Sequence, residues 1–164
     1  MVFRSLFHTS LGVGQVVATT AGICQIDLPP LDGSSAAVGV SSAATRQAAG
    51  QLERYFNGEP IRFDLPCDLS GLTLFQQQVL RLTALIPYGQ VVTYGYLAQQ
   101  VGLPGAARAV GGAMAANPVP IVIPCHRVVA ASGKLTGYSG TGGIVMKRYL
   151  LGLERVDFRG ERVN

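Results

Sequence analysis

The chain has 164 residues, 48% of them apolar and only 13% charged, with a formal net charge of +4. That length suits one compact domain or a small domain fused to a slightly larger one, and that apolar fraction excludes a disordered chain. No apolar run approaches the roughly 20 residues of a membrane-spanning helix, and Met1–Ser10 lacks the small-residue cleavage site of a signal peptide.

The charge is unevenly placed. Residues 1–100 carry five arginines against six acids; residues 101–164 carry eight basic residues against Glu154, Asp157 and Glu161. The imbalance points the C-terminal part toward an anion, although a random surface bias gives the same count. Eleven of the thirteen basic residues are arginine, the side chain suited to planar and phosphate contacts. The cysteines, Cys24, Cys67 and Cys125, are odd in number and unpaired in spacing, which argues against a disulfide scaffold and fits a reducing cytoplasm. With no CxxC and only His8 and His126, no metal site is expected.

Val13–Thr20 and Ile23–Leu28 read as a hairpin around Ala21-Gly22. Pro29–Ser42 is rich in Pro, Gly and Ser and reads as a loop. Ala43–Phe56 has helical spacing, with Ala48, Leu52, Tyr55 and Phe56 on one side. Ile61–Leu65 reads as a short strand and Leu65–Leu72 as a linker, giving units of 1–68 and 69–164. Leu74–Ile86 is an amphipathic helix with Phe75, Val79, Leu82 and Ile86 on its stripe, stopped by Pro87-Tyr88-Gly89. Thr93 can cap a helix running to about Val101. After a Gly102–Gly105 turn comes a helix over Ala106–Ala116, with Ala109, Val110, Ala113 and Met114 inward. Two short helices about a glycine turn have the form of a helix-turn-helix, a weak signal taken alone. Val119–Ile123 reads as a buried extended segment leading to Pro124-Cys125-His126-Arg127, Val128–Ala131 as extended again, and Gly133–Gly143 as a glycine-rich loop. The last helix, Ile144–Leu153, places Met146, Tyr149, Leu150 and Leu153 inward.

Cys125 is the candidate nucleophile: it follows a proline and adjoins the only histidine of the second half. A free cysteine is only a few per cent thiolate at neutral pH, since its pKa is near 8.5. A histidine base, itself oriented by a carboxylate such as Glu154, would raise that fraction. Adjacent residues of an extended chain point opposite ways, so His126 would reach Cys125 through a water. Without such partners a lone cysteine is an inert small hydrophobe. Gly137-Tyr138-Ser139-Gly140-Thr141 has the look of a serine elbow but lacks its last glycine, and Gly140–Gly143 lacks the Lys-Ser/Thr of a phosphate loop.

Taken together these residues resemble a known family, the O6-alkylguanine-DNA alkyltransferases. Ile123-Pro124-Cys125-His126-Arg127-Val128-Val129 is similar to the family's active-site signature. Ile86–Gln90, Thr93-Tyr94, Ala107–Gly111, Asn117-Pro118 and Gly137-Tyr138 follow in the family's order. The resemblance is strong from about Phe75 to Glu154 and looser over residues 8–65. It implies an α/β protein: a small ribonuclease-H-like N-terminal α/β domain and a mostly helical C-terminal domain with a helix-turn-helix. The function it implies is direct-reversal repair, in which an alkyl group passes irreversibly from O6 of guanine, and as a second lesion O4 of thymine, to Cys125.

By the same resemblance His126 is the water-mediated base, Glu154 the carboxylate behind it, Asn117 the hinge of the active-site turn and Tyr94 the aid to guanine departure. Arg108 is the finger that enters the base stack. Thr93, Tyr94, Ala109, Gly111, Gly112 and Ala115 are the expected DNA-facing positions, and Pro120, Val128, Gly137, Tyr138 and Ser139 the expected pocket. The implied partner is double-stranded DNA entered from the minor groove. No cofactor, no membrane and a cytoplasmic monomer are implied, cooperative binding along DNA being left open. Three features depart from the family: Ala115 replaces a basic residue, the loop Tyr138–Gly143 is longer, and Gly71–Leu74 is worded differently. A lesion sensor of the same family would lack Cys125, a thiol hydrolase would turn over, and a helix-turn-helix regulator would favour one DNA sequence.

Overall fold

The computed structural model describes residues 1–31, 36, 39–159 and 162–163. The expected loop residues 32–35 and 37–38 therefore lie outside the described residues. The chain divides into two compact units: residues 1–71 with 118–122, and residues 72–117 with 123–164.

The first unit is a sheet of three antiparallel strands, β1 (Phe3–Thr9), β2 (Gly12–Ala18) and β3 (Ile23–Asp27), in the order β1-β2-β3, with helix α1 (Ala43–Phe56) packed on β1 and β2. The expected hairpin is β2–β3; β1 carries no clean apolar alternation, since Phe7 alone of its residues is buried. Phe7 pairs with Gly14, and a Cβ at Gly14 would lie 2.1 Å from the Phe7 ring, so only glycine lets that ring close the core. Ser42 caps α1 by accepting from Thr45 N–H in a reciprocal capping box. The stripe Ala48, Leu52, Tyr55 and Phe56 is buried as its spacing requires, and Phe56 stacks on Phe7.

Two expectations in this unit are corrected. Ile61–Leu65 forms no strand; pairing falls two residues later, where Ile23 N–H donates to Pro66 O and Asp68 N–H to Ile23 O. Val119–Ile123 is buried but not extended: Ile121 has φ of 73° and the chain turns there. A β-branched residue in that region is a true outlier, fixed here by burial on all sides.

The second unit is mostly helical. Helix α2 (Leu74–Thr83) stops three residues short of the expected Ile86. Two-residue strand β4 (Val92–Thr93) leads into α3 (Tyr94–Gln100), whose N-terminus is capped by Thr93 accepting from Tyr96 N–H. Gly102 and Gly105, both at positive φ, make the turn to α4 (Ala107–Ala115). Val110, Ala113 and Met114 of α4 are buried against α2 and α3, but Ala109 is exposed rather than inward. Cys125–Arg127 form one 3-10 turn, not the end of a strand, followed by β5 (Val128–Val129) in parallel with β4.

Helix α5 (Gly143–Leu153) follows the glycine-rich loop. Its buried face is Met146, Lys147, Leu150 and Leu151; Tyr149 and Leu153 are only half-buried. Arg155, at φ of 61°, ends the helix, with Val156 N–H returning to Leu151 O. The tail then pairs as β6 (Phe158–Arg159) with β7 (Arg162–Val163). No helix among the described residues is long and apolar enough to cross a membrane.

Candidate active site

Within the second unit a cavity of about 630 Å³ is lined by Tyr94 of α3, by Ala107, Arg108, Gly111, Met114 and Ala115 of α4, by Cys125, and by Thr136–Ser139 of the loop before α5. Cys125 is 7% exposed, and that fraction opens into the cavity. The thiol thus faces a cavity and is not sealed within the core.

The turn that presents the thiol is set by its neighbours. Asn117, just beyond α4, donates through Nδ2 to Ile123 O at 2.8 Å, tying the helix end to the residue two before Cys125. Burial pushes the Cys125 thiol up; a hydrogen bond from Asn117, the charge of Lys147 and the N–H groups of Cys125 and His126 pull it back. The resting sulfur is thus a protonated thiol surrounded by groups that favour its anion.

Behind it lies a buried charge cluster. His126 Nε2 meets Glu154 Oε1 at 2.6 Å, with both side chains fully buried. Arg127 grips both oxygens of the same carboxylate, Nε to Oε2 and Nη2 to Oε1, each at 2.9 Å. Gly89 N–H donates to Oε2 at 3.0 Å, and Arg127 Nη1 reaches Ile86 O at 2.6 Å. Burial alone would raise the Glu154 carboxyl, but the hydrogen bonds and charges of His126 and Arg127 overcome it and hold it down at about 2. Burial also lowers the His126 pKa, against Glu154 and with Arg127 and Lys147, so the imidazole rests neutral and able to take a proton. Arg127 was not foreseen as a partner of Glu154.

Lys147 is the larger omission from the sequence reading. It is fully buried, donating to Val128 O at 2.6 Å, Thr136 O at 3.0 Å and Gly137 O at 3.4 Å, and lies 3.4 Å from the Tyr94 hydroxyl. Tyr94 itself donates to Thr136 O at 3.0 Å. One ammonium therefore ties β5, the cavity loop and Tyr94 together, and burial lowers its pKa to about 8. The sequence held a signal: Lys147, Leu150, Leu151 and Glu154 recur at i, i+3, i+4 and i+7, so a lysine sits on the inward stripe.

The other expected positions sort clearly. Tyr94, Arg108, Gly111, Ala115, Gly137, Tyr138 and Ser139 line the cavity with Cys125. Ser139 Oγ donates to Ala115 O at 3.0 Å, joining loop to helix across the rim. The Tyr138 hydroxyl is buried with no hydrogen-bond partner among the described residues, and burial raises its pKa well above the usual phenol value. Thr93 acts as a cap, while Ala109 and Gly112 are exposed on α4. Two expected pocket residues are placed elsewhere. Val128 is fully buried in β5, pairing with Val92, and Pro120 is buried in the segment that belongs to the first unit; neither lines the cavity. Met114, Ala107 and Thr136 line it instead.

A buried cysteine, histidine and glutamate behind a cavity walled by a slim helix is the geometry against which known proteins can be compared. The family model for the 6-O-methylguanine DNA methyltransferase DNA-binding domain matches residues 74–156. The chain belongs to the O6-methylguanine-DNA methyltransferase family. It is 56% identical over 108 residues to a methylated-DNA–protein-cysteine methyltransferase of Mycobacterium tuberculosis, 66% of this chain and 64% of that protein. To the methylated-DNA–protein-cysteine methyltransferase of Methanosarcina acetivorans it is 49% identical over 109 residues, 66% and 68% of the two chains. The match thus spans 64% of the length of the mycobacterial relative. Among solved structures, the M. tuberculosis O6-methylguanine methyltransferase superposes with a TM-score of 0.78 at 41% identity, covering 94% of this chain and 93% of that one. The M. tuberculosis OGT in complex with DNA gives 0.79 at 40%, covering 93% and 92%. The mixed α/β architecture of this methyltransferase family member agrees with those structures.

Proposed function

We propose that this protein repairs alkylated DNA by taking the alkyl group from O6 of guanine, with O4 of thymine as a second lesion, onto Cys125, once per molecule. The observation that carries the reading is the buried Cys125 thiol opening into a cavity whose other walls are Arg108, Tyr94 and the glycine of a thin helix. A duplex hides the O6 atom, so the base must swing out, at a cost of a few kcal/mol. Gly111 and Gly112 support such a partner: a Cβ at either would meet nothing within 4 Å, so packing does not require them. Each glycine costs a helix about 1 kcal/mol relative to alanine. What they provide is a surface thin enough for the narrow minor groove. The α4 N-terminus has no side-chain cap, leaving N–H donors for phosphate. Arg108 is exposed and lines the cavity, which supports a role in filling the stack once the base has left. In this reading α3 and α4 act as a helix-turn-helix, the first unit as a ribonuclease-H-like domain spanning roughly 1–68, and the protein works as a cytoplasmic monomer.

In the reaction the Cys125 thiol gives its proton to neutral His126 through a water, Glu154 steadying the imidazolium. The thiolate attacks the alkyl carbon, a C–S bond forms and the C–O6 bond breaks. The departing base takes a proton from the Tyr94 hydroxyl. The thioether has no easy leaving group, so no water step restores the thiol. Intact mass after incubation with duplex carrying O6-methylguanine tests this: one added methyl mapped to Cys125 is expected, and none in Cys125→Ala, which still binds the duplex. Repeated turnover, or transfer without Cys125, would overturn it.

A further inference from the structure

The tail beyond α5 builds a small ribbon. Phe158 pairs with Val163 and Arg159 with Arg162, while Lys134, from the turn after β5, bridges Arg162 from the other side. Val163 N–H donates to Gly133 O at 2.9 Å and Ala130 N–H to Lys134 O at 3.2 Å. Gly133 is required for this approach: its φ is +79°, and a Cβ would lie 2.6 Å from Val163 O.

Directly opposed residues of antiparallel strands project from one face, and successive residues from opposite faces. Phe158, Val163 and Leu135 accordingly pack with Val129 and Leu151 in an apolar cluster. Lys134, Arg162 and Arg159 stand in a row on the other face. All three are exposed, and among the described residues no carboxylate pairs with any of them. Like charges placed directly opposite destabilise a ribbon, and the apolar face would be the same with neutral residues in the row. The fold therefore gives no reason for three cations there. An anion does.

We propose that Lys134, Arg162 and Arg159 form a second contact to the DNA phosphate backbone, apart from α4. The proposal rests on the DNA-repair reading above. Only Leu135 separates Lys134 from Thr136 of the cavity wall, so the Lys134 end of the row adjoins the pocket segment. With strands about 4.8 Å apart, three cations span about 10 Å. One strand of B-DNA carries a charge about every 3.4 Å of helix axis, so phosphates are dense enough for each cation of the row to meet one. Contacts of this kind add affinity without reading sequence.

The test is the salt dependence of binding to unmodified labelled duplex, measured by fluorescence anisotropy from about 50 to 300 mM NaCl. The full chain is compared with Lys134→Gln/Arg159→Gln/Arg162→Gln, and with a control losing three charges from the first unit, Arg46→Gln/Arg54→Gln/Arg62→Gln. Each lost phosphate contact removes about 0.9 from the slope of log K against log salt, so the row variant should be shallower by about 2 to 3 and the control nearly unchanged. An unchanged slope in the row variant, or an equal loss in the control, overturns the proposal. Intact mass with saturating methylated duplex separates the two readings: the row variant should still gain one methyl. A wild-type chain that gains none defeats the alkyltransferase reading, while the slopes still decide the phosphate row.

Discussion

The two units bury different chemistry. Among the described residues, the first buries Gln15 and Thr45 as its polar side chains and no charged one. The second buries His126, Arg127, Lys147 and Glu154 beside a free thiol. Removing a charge from water costs several kcal/mol even after relaxation, and a well-packed apolar group often does as well or better for stability. The first unit follows the cheaper course, with a core of aliphatic and aromatic side chains around Phe7, Leu52 and Tyr55. The second carries an arrangement that stability alone would not select, and it does so around the Cys125 thiol.

That contrast can be broken most forcefully at Arg127. Arg127→Met strips the bidentate cation from a buried carboxylate and should cost about 3 to 5 kcal/mol, read from denaturant unfolding. A loss below about 1 kcal/mol would mean that the carboxylate does not depend on this cation. The same pair gives a pH signature. Glu154 is held at about 2 against its ordinary 4.5, so the folded form keeps the carboxylate charged where the unfolded chain binds a proton. Its contribution is complete above pH 4.5 and is lost as the pH falls toward about 2. In the variant the folded-state carboxyl moves back toward its ordinary value, so this acid-side loss should be smaller, as stability measured against pH would show.

Gly14→Ala is the matched experiment in the first unit. The new methyl collides with the Phe7 ring, and overpacking of this kind costs about 1 to 3 kcal/mol. Methyl transfer per folded molecule should stay at the wild-type rate; a fall in rate at full folding would contradict the division of labour.

Lys147→Met should slow single-turnover transfer at least about tenfold, about 1.4 kcal/mol. The ammonium favours the Cys125 anion, so without it the rate-against-pH curve should move to higher pH. Lys147 titrates at about 8 in the folded state against 10.5 unfolded, so between those values the unfolded chain holds the extra proton and wild-type stability rises with pH. Lys147→Met should lack that rise.

The smallest effect is expected at Gly140. A Cβ there would lie 2.7 Å from the Tyr138 ring, pressing the ring toward the cavity. Gly140→Ala should therefore lower transfer from a benzyl adduct several-fold more than from a methyl adduct, measured as a ratio of rates on the two duplexes. An unchanged ratio would remove Tyr138 from the control of pocket width.

Much of the site was legible because its residues lie close in sequence. Cys125 and His126 are neighbours, Asn117 is eight residues before the thiol, and the small residues of α4 follow Arg108 directly. Helix α1 was legible from spacing alone, since its four-residue stripe has no competing pattern. Other elements were hidden for physical reasons. Strand β1 has one buried side chain, too few for a period of two. The segment Val119–Ile123 is rich in the β-branched residues of a strand, yet Ile121 sits in a turn at positive φ that such residues disfavour.

By itself the sequence marked the candidate residues of the proposed chemistry: a thiol in a Pro-Cys-His-Arg run, and small residues following Arg108 on one helix. Only the tertiary structure decided which charges meet. Arg127 and Glu154 stand 27 residues apart and Lys147 and Val128 stand 19 apart, so their pairing depends on α5 returning across the 3-10 turn. Spacing along a chain reports which face a side chain takes, but the partner waiting on that face is set by packing.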